Sequence, residues 1–164
     1  MTINYITGDL FSTPDKVIAH GCNAQGVMGS GVALQVKIEY PDVFEKYKEE
    51  CHFIRLSSRN GLPPWTNIIV PAKDKIIVNM ITQEYFGKEN KRYVSYDAID
   101  ICFDYLFHYC WDNEIDSISI PKIGAGLGGG NWDTIISIIE DRMKTVNVNV
   151  YVLPEQIIHE GINI

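Results

Sequence analysis

One segment of this sequence, residues 118–132, constrains the fold more than any other. It runs from an apolar strand pattern through a loop that holds five of the chain's thirteen glycines, and it then enters a helical pattern. Because glycine has no Cβ atom, such a loop can turn at positive φ and bring its N–H groups close to a bulky anion. The segment therefore predicts either a phosphate-binding loop or a tight strand-to-helix turn.

The rest of the chain alternates between strand patterns and helix patterns. Short β-branched runs predict strands at residues 3–6, 17–20, 68–70, 76–81, 115–120 and 146–153. Helical patterns cover residues 31–40, 43–51, 95–111 and 132–143. The alternation predicts an α/β sandwich with a mostly parallel or mixed sheet, in which ligands bind beyond the carboxyl ends of the strands. Residues 57–65 and 85–91 are expected to be surface loops.

Length and charge indicate one acidic domain. The chain has 164 residues, of which 46% are hydrophobic, and this predicts a single domain over residues 1–164 that is expected to be a monomer. Residues 157–164 are expected to form a loosely held tail. A net charge of −7 disfavours extended binding to a nucleic-acid backbone, but small anionic ligands can still bind to backbone dipoles.

The chain carries no pattern typical of metal binding, export or membrane insertion. Its four cysteines lack the spacing of a zinc site, and they are expected to be reduced thiols in a cytosolic protein: Cys22, Cys51, Cys102 and Cys110. No apolar run is long enough to cross a membrane, and the first residues lack a signal-peptide pattern. We expect metal-independent chemistry without a cofactor.

Two nucleotide-binding motifs can be weighed against the glycine-rich segment. Residues 124–129 formally satisfy G-x-G-x-x-G after a strand and before a helix. Only 35 residues follow Gly129, which is too few to complete a dinucleotide-binding Rossmann domain. A nucleotide-triphosphatase loop is excluded because Gly87-Lys88 is followed by Glu89 and lacks the earlier glycine.

A second glycine-rich segment, residues 21–33, favours ligand binding over an ordinary turn. It also follows a predicted strand, so the two segments can converge on one crevice, and Gly31 leads into a helix whose free N–H groups favour an anion. A third exposed turn, Gly8-Asp9-Leu10, follows the first strand. Asp9 there either accepts a hydrogen bond from an exocyclic amine such as that of adenine, or serves as a turn or cap residue.

These segments, in this order and spacing, resemble the macro domains, which bind ADP-ribose and its derivatives. The resemblance implies a three-layer α/β/α sandwich with a central mixed, mostly parallel sheet, and it implies ADP-ribose and ADP-ribose 1″-phosphate as partners. Asp9 and the Leu10 backbone would contact adenine, and Asn23 the distal ribose. The implied ligand-binding residues are Gly8, Asp9, Leu10, Asn23, Met28, Gly29, Ser30, Gly31, Val32, Pro121, Ile123, Gly124, Ala125, Gly126, Leu127, Gly128, Gly129, Tyr151 and Leu153. Tyr151 and Leu153 would lie at the adenosine end, although either can equally be a core strand residue.

Within the family, the sequence is similar to two branches with different reactions. One branch removes terminal ADP-ribose from proteins and uses a lysine and an aspartate, where this chain has Gln83 and Gly128. An amide and a glycine cannot replace a lysine nucleophile and a carboxylate. The other branch hydrolyses ADP-ribose 1″-phosphate, and His20 occupies the position of its histidine. The resemblance thus favours phosphatase activity, with removal of ADP-ribose from macromolecules, or binding without turnover, as alternatives.

His20 and Asn23 are the expected catalytic residues. An imidazole at position 20 can deliver a proton to the leaving sugar oxygen or help to position water. The structural alternative is that a neutral His20, at the end of a buried strand, only satisfies neighbouring polar groups. Asn131, which precedes an apolar periodic run, is expected to cap the last helix rather than to bind ligand.

Overall fold

The fold is a six-stranded sheet covered by helices on both faces. A computed structural model describes residues 1–154, so the tail expected over 157–164 lies outside the described residues. The strands are β1 (Ile3–Thr7), β2 (Val17–Asn23), β3 (Asn67–Ala72), β4 (Lys75–Gln83), β5 (Ser117–Ile120) and β6 (Asn147–Val152). The helices are α1 (Gly31–Glu39), α2 (Pro41–Ser58), α3 (Tyr96–Asp112) and α4 (Trp132–Arg142). A 3₁₀ turn, Leu10–Ser12, follows β1.

The sheet is mixed and mostly parallel, as predicted. Its strand order is β1-β6-β5-β2-β4-β3, and β3, at one edge, pairs antiparallel with β4. The other five strands are parallel to one another, so their carboxyl ends meet along one edge of the sheet. Both glycine-rich segments leave the sheet at this edge, since one follows β2 and the other follows β5.

Two apolar cores flank the sheet and make the three layers. Successive residues of β2 point to opposite faces: Val17 and Ala19 pack under α3 and α4, whereas Ile18 packs under α1 and α2. The predicted face of α3 is buried in the first core through Ile99, Cys102, Phe103, Leu106 and Cys110. Helix α2 buries Val43, Tyr47 and Cys51 at a spacing of four residues in the second core.

The predicted helix boundaries are confirmed to within two residues except at the end of α2. Ser95 caps α3 by accepting from the Ala98 N–H (3.1 Å), and Asn131 caps α4 by accepting from the Thr134 N–H (3.0 Å), as its position predicted. The expectation that α2 ends near Cys51 is wrong, because the helix continues to Ser58. Its last turns expose Phe53 (57%), so they extend beyond the apolar periodicity that the sequence displays.

Candidate functional site

A cleft of about 430 Å³ opens at the carboxyl ends of β2, β4 and β5. Its walls come from the two glycine-rich loops, which we name the first loop (residues 21–33) and the second loop (residues 121–130), and from the segment that follows β4. The lining residues are His20, Gly21, Cys22, Asn23, Val27, Gly29, Ser30, Gly31, Val32, Ala33, Thr82, Gln83, Phe86, Gly87, Lys88, Pro121, Lys122, Ile123, Gly124, Gly126, Leu127 and Gly128. The sequence therefore predicted correctly that the two loops converge on one crevice.

The first loop is held by side-chain hydrogen bonds centred on Asn23. The Asn23 Oδ1 accepts from the Gln25 N–H (3.0 Å), and the Asn23 Nδ2 donates to the Val27 carbonyl (2.8 Å). The Tyr47 hydroxyl of α2 donates to the Asn23 carbonyl (2.6 Å) and lies 3.0 Å from its Oδ1. Asn23 lines the cleft as expected, but most of its hydrogen-bonding capacity shapes the loop. Its contact with a ribose stays a prediction.

The first loop ends at the N-terminus of α1, where the backbone presents N–H groups. Gly31 begins the helix with φ +58°, a conformation that glycine adopts without strain. Ser30, the N-cap residue, makes no side-chain cap hydrogen bond. The N–H groups of the first helical turn have no intrahelical acceptor, and Gly31, Val32 and Ala33 all line the cleft. This arrangement favours an anion at the helix end.

The second loop is held by backbone hydrogen bonds. The Gly130 N–H donates to the Gly124 carbonyl (2.8 Å), and the Gly129 N–H donates to the Gly126 carbonyl (3.0 Å). The Gly128 carbonyl accepts from the Tyr93 N–H (2.7 Å) and the Val94 N–H (3.0 Å), which ties the loop to the segment before α3. Since the loop's shape depends on main-chain contacts, its small residues leave room for a ligand against the backbone.

Gly128 cannot carry a side chain in this conformation. A Cβ atom there would lie 2.7 Å from the Gly124 carbonyl oxygen, a backbone atom that cannot move aside on its own. The aspartate of the glycohydrolase branch therefore has no room at this position. Gln83, at the lysine position, lines the cleft and donates from Nε2 to the Tyr85 carbonyl (2.7 Å).

His20 lies at the floor of the cleft with only 1% of its surface exposed. Its Nε2 lies 2.7 Å from the Asn79 Oδ1 on β4. Burial outweighs this hydrogen bond and lowers the pKa of His20 from 6.5 to about 4. The imidazole is therefore neutral at pH 7. A neutral imidazole can position water or accept a proton, but it is not the protonated imidazole that a general acid requires at the start of the reaction.

The residues expected at the adenosine end lie along the same sheet edge but outside the cleft walls. Gly8, Asp9, Leu10, Tyr151 and Leu153 are not among the residues that line the cleft. Asp9 caps the 3₁₀ turn, since its Oδ1 accepts from the Phe11 N–H (3.0 Å), and this supports its interpretation as a cap residue. The Gly8 N–H donates to the Val152 carbonyl (3.0 Å), which keeps this turn beside β6.

Three other expected contacts also lie outside the lining: Met28, Ala125 and Gly129. Met28 is 1% exposed and packs in the core under α1 and α2, so its apolar side chain supports the first loop from below. Gly129 faces the other way, because a Cβ atom there would meet the Lys91 backbone. Met28 and Gly129 therefore shape the loops and do not form their inner surface.

The sequence missed part of the cleft wall. Phe86, Gly87 and Lys88 line the cleft, although the sequence predicted only a surface loop over residues 85–91. The same three residues also border a second groove of about 540 Å³, lined further by Trp65, Glu84, Tyr85, Glu89, Lys91, Arg92 and Tyr93. The only signal for this wall was its clustering of aromatic and charged residues.

The charge of the cleft is opposite to that of the chain. Lys88 and Lys122 are among its lining residues, whereas no aspartate or glutamate of the described chain lines it. The chain as a whole has a net charge of −7. Lysines and free helix N–H groups in an acidic protein concentrate a positive potential locally, and this favours a multiply charged anionic ligand.

Residues 1–154 contain neither a metal cluster nor a membrane span. No three His, Cys, Asp or Glu side chains lie close enough together there to hold a metal ion. No helix in that range is both long and apolar enough to cross a membrane. The four cysteines are free and buried, and burial raises the pKa of Cys102 and Cys110 to about 12.

The fold and the cleft define an α/β domain with an anion-binding crevice at the carboxyl ends of its parallel strands. Residues 19–139 match the family model described as Macro domain, and the chain belongs to this family. The family predicted from the two loops is thereby confirmed.

Named relatives include two kinds of hydrolase. An ADP-ribose 1″-phosphate phosphatase of Lodderomyces elongisporus is 28% identical over 93% of this chain and 99% of its own length. A DNA ADP-ribosyl glycohydrolase of Mycobacterium bovis is 28% identical over 81% of this chain, which spans only 36% of that relative. The macrodomain of Mycobacterium tuberculosis DarG superposes with a TM-score of 0.73 at 25% identity, covering 92% of this chain and 97% of that one.

Proposed function

We propose that this macro domain hydrolyses ADP-ribose 1″-phosphate to ADP-ribose and inorganic phosphate. The observation that carries the proposal is the cleft itself: two lysines, the glycines of both loops and the first turn of α1 line it, and no aspartate or glutamate of residues 1–154 does. A ligand with a diphosphate and a terminal phosphomonoester fits this charge pattern. Similarity to a phosphatase over nearly the full length of both chains supports the same reaction.

The proposed binding mode follows the two loops. The diphosphate would lie between the N-terminus of α1 and the second loop, where backbone N–H groups are available. The terminal phosphate would then lie toward the ends of β2 and β4, near His20, Gln83 and Lys88. A lysine ammonium at that end compensates the charge of the phosphoryl oxygens.

The reaction breaks one bond and forms one. The oxygen of a water molecule bonds to phosphorus, and the bond between phosphorus and the C1″ oxygen breaks. One water proton is transferred to the leaving sugar oxygen, so that ADP-ribose and inorganic phosphate are released. A neutral His20 can accept that proton and pass it on, while loop N–H groups stabilise the phosphoryl oxygens.

Removal of ADP-ribose from macromolecules is the second candidate. It is favoured by the similarity to a DNA ADP-ribosyl glycohydrolase and by the DarG macrodomain fold. Against it stand Gln83 and Gly128, which replace the lysine and aspartate that the resemblance predicts for the glycohydrolase branch, and Gly128 has no space for a side chain. A binding module without turnover would use the same cleft.

Phosphate release decides among these candidates. We expect the wild type to release phosphate from ADP-ribose 1″-phosphate, and His20→Ala to release it on the order of 100-fold more slowly with ADP-ribose affinity intact. Calorimetry with ADP-ribose provides the binding control. Wild-type protein that binds ADP-ribose but releases no phosphate would overturn the phosphatase proposal. A parallel assay on ADP-ribosylated DNA and protein would then separate the glycohydrolase from the binding module.

We also propose a cytosolic location, which the four free cysteines support because such thiols persist in a reducing compartment.

A further inference from the structure

A buried polar pair beneath the cleft joins β2 to β4. His20 and Asn79 are directly paired in the parallel register of these strands, and both side chains lie on the face that α1 and α2 cover. Their exposed fractions are 1% and 0%. The distance between the His20 Nε2 and the Asn79 Oδ1 is 2.7 Å, which is a short hydrogen bond. Either the imidazole donates to the amide oxygen, or a flipped amide donates from its NH₂ group to the imidazole.

The orientation of the Asn79 amide identifies the donor. The Asn79 Nδ2 donates to the Ile68 carbonyl on β3 at 2.9 Å. A flipped amide would place its oxygen against that carbonyl, so that two acceptors would face each other in a buried site. The amide oxygen therefore faces the histidine and can only accept. It follows that His20 carries its proton on Nε2, and that Nδ1 holds a lone pair.

The neighbouring thiol does not compete for this lone pair in a directed way. The Cys22 Sγ lies 3.7 Å from Nδ1 and 3.6 Å from Nε2. A sulfur that is almost equidistant from both nitrogens packs against the ring and does not lie on the axis of either one, and a thiol is a weak donor in any case. Nδ1 thus stays the basic atom of His20.

We propose that Asn79 is a positioning residue for the reaction, because it fixes His20 in the Nε2–H tautomer and so leaves Nδ1 as the nitrogen that can accept a proton. This inference rests on the phosphatase function proposed above. Asn79 does not line the cleft, so it acts only through His20. A buried acceptor that holds one nitrogen of an imidazole decides which nitrogen stays free for proton transfer.

The proton path balances through Nδ1. As the water oxygen bonds to phosphorus, one water proton moves to Nδ1 and the imidazole becomes a cation with both nitrogens protonated. The Nδ1 proton then moves to the C1″ oxygen as its bond to phosphorus breaks. His20 ends neutral, with its proton again on Nε2, and the Asn79 oxygen accepts throughout. No metal or second substrate is needed for this balance.

Few ionisable groups of the described chain face His20 from the packed elements. On β2 the neighbour is Cys22, whose thiol is itself affected by Cys51 of α2 and Cys102 of α3, and burial raises its pKa. The group that faces His20 from β4 is the uncharged Asn79. Burial without a carboxylate partner keeps the imidazole neutral, which is the state that a proton acceptor requires.

The tautomer can be measured without any activity. Long-range ¹H–¹⁵N correlation spectra of histidine-labelled wild type are expected to display the Nε2–H pattern for His20 between pH 6 and 8. Asn79→Leu removes the acceptor, and we expect the proton to distribute between both nitrogens. A wild-type spectrum of the Nδ1–H tautomer would overturn the proposal, whether or not the protein proves to be a phosphatase.

Kinetics test the catalytic consequence with a matched control. We expect Asn79→Leu to lower kcat for phosphate release by about 10-fold or more while KM changes by less than about twofold. Asn67→Leu is the control, because Asn67 on β3 also donates to a backbone carbonyl, that of Cys102 (2.8 Å), but does so toward α3 on the opposite face of the sheet. Equal kcat losses in both variants would indicate a merely structural role for Asn79 and overturn the proposal.

A second variant keeps the acceptor that faces His20. In folded Asn79→Asp the Nε2–H tautomer and most of kcat should persist, because one oxygen still accepts from His20. Its other oxygen meets the Ile68 carbonyl in place of the amide donor, so we also expect a lower free energy of unfolding, which denaturant unfolding measures. Its carboxylate should also raise the pKa of His20 and move the acid limb of the kcat profile to higher pH. An unchanged profile, or loss of the Nε2–H tautomer in this variant, would contradict the proposal. Wild type that releases no phosphate but has the expected tautomer would contradict only the phosphatase function.

Discussion

The two loops that form the cleft are built by different means. Side chains hold the first loop, since the Asn23 amide bonds to Gln25 and Val27 and Tyr47 supports it from α2. Main-chain hydrogen bonds hold the second loop, and its glycines pack too closely for a Cβ atom at several positions. A loop that offers its backbone to an anion can therefore be held in place in two ways. Polar side chains hold the first loop, and close main-chain packing between glycines holds the second.

The largest effect on stability and binding is expected from a side chain at Gly128, where the backbone of the second loop packs against itself. Gly128→Val should lower the free energy of unfolding by roughly 4 kcal/mol and abolish ADP-ribose binding, because its Cβ would lie 2.7 Å from the Gly124 carbonyl oxygen. Denaturant unfolding and calorimetry measure the two effects. A variant as stable as the wild type would mean that the loop is not held as described.

Lowering the pH should destabilise the protein through His20, at the cleft floor beside the first loop. It should not act through the glycine-rich part of the second loop, which has no titratable side chain between Ile123 and Gly130. The folded pKa of His20, about 4, lies below its ordinary value of 6.5. Between these values the unfolded chain binds a proton that the folded chain does not, so stability falls as the pH falls. The difference corresponds to roughly 3 kcal/mol.

Urea unfolding between pH 7 and 4 measures this effect. In His20→Gln, the free energy of unfolding should decrease much less over this pH range than in the wild type. In His52→Asn it should decrease as much as in the wild type, because His52 is exposed. A wild-type stability that is constant from pH 6.5 to 4 would contradict the buried, neutral imidazole.

A side chain at Gly126 should affect binding without affecting the fold. A Cβ atom there meets nothing within 4 Å, and the residue does not have a positive φ, so backbone strain is not expected. Because Gly126 lines the cleft, Gly126→Val should weaken ADP-ribose binding by at least about 10-fold, equivalent to about 1.4 kcal/mol, through loss of ligand space. Calorimetry on the wild type, Gly126→Ala and Gly126→Val should reveal a graded loss with constant unfolding midpoints. Undiminished affinity would remove this residue from the site.

The smallest expected effect concerns the support of the first loop. Tyr47→Phe removes the hydroxyl that donates to the Asn23 carbonyl at 2.6 Å and leaves that buried carbonyl without this donor. We expect a loss of about 1 kcal/mol in unfolding free energy and a smaller loss in ADP-ribose affinity. Phe103→Leu, in the core on the opposite face of the sheet, should lower stability without changing affinity. Equal affinity losses in both variants would contradict a local role for Tyr47.

Much of this fold follows from the sequence because periodicity and glycine placement are local signals. The buried face of α3, the Asn131 cap and the meeting of the two loops were all predictable. The pairing of His20 with Asn79 was not predictable, because the two residues are 59 positions apart in the sequence and their contact depends on the register of the strands. The internal hydrogen bonds of Asn23 were hidden for a similar reason, since an amide can serve a ligand or its own loop equally well.

The cleft wall formed by Phe86, Gly87 and Lys88 was also beyond prediction. These residues follow β4 in an irregular segment, and no period or motif determines where such a segment packs. Asp9 was predictable only as a choice between two roles, and its bond to the Phe11 N–H supports the structural one. The positions of whole elements were thus better predicted than the partners of single polar groups.

The hydrogen bonds from Tyr93 and Val94 to the Gly128 carbonyl also limit how this chain can evolve. Replacing Gln83 by lysine is one substitution at a cleft-lining position. An aspartate at position 128 would clash with the Gly124 carbonyl, and moving residue 128 away from that carbonyl would break the hydrogen bonds from Tyr93 and Val94, so the loop and the preceding segment would have to change together. Two point mutations, at positions 83 and 128, therefore do not give this cleft the lysine and aspartate of the glycohydrolase branch without distorting the second loop.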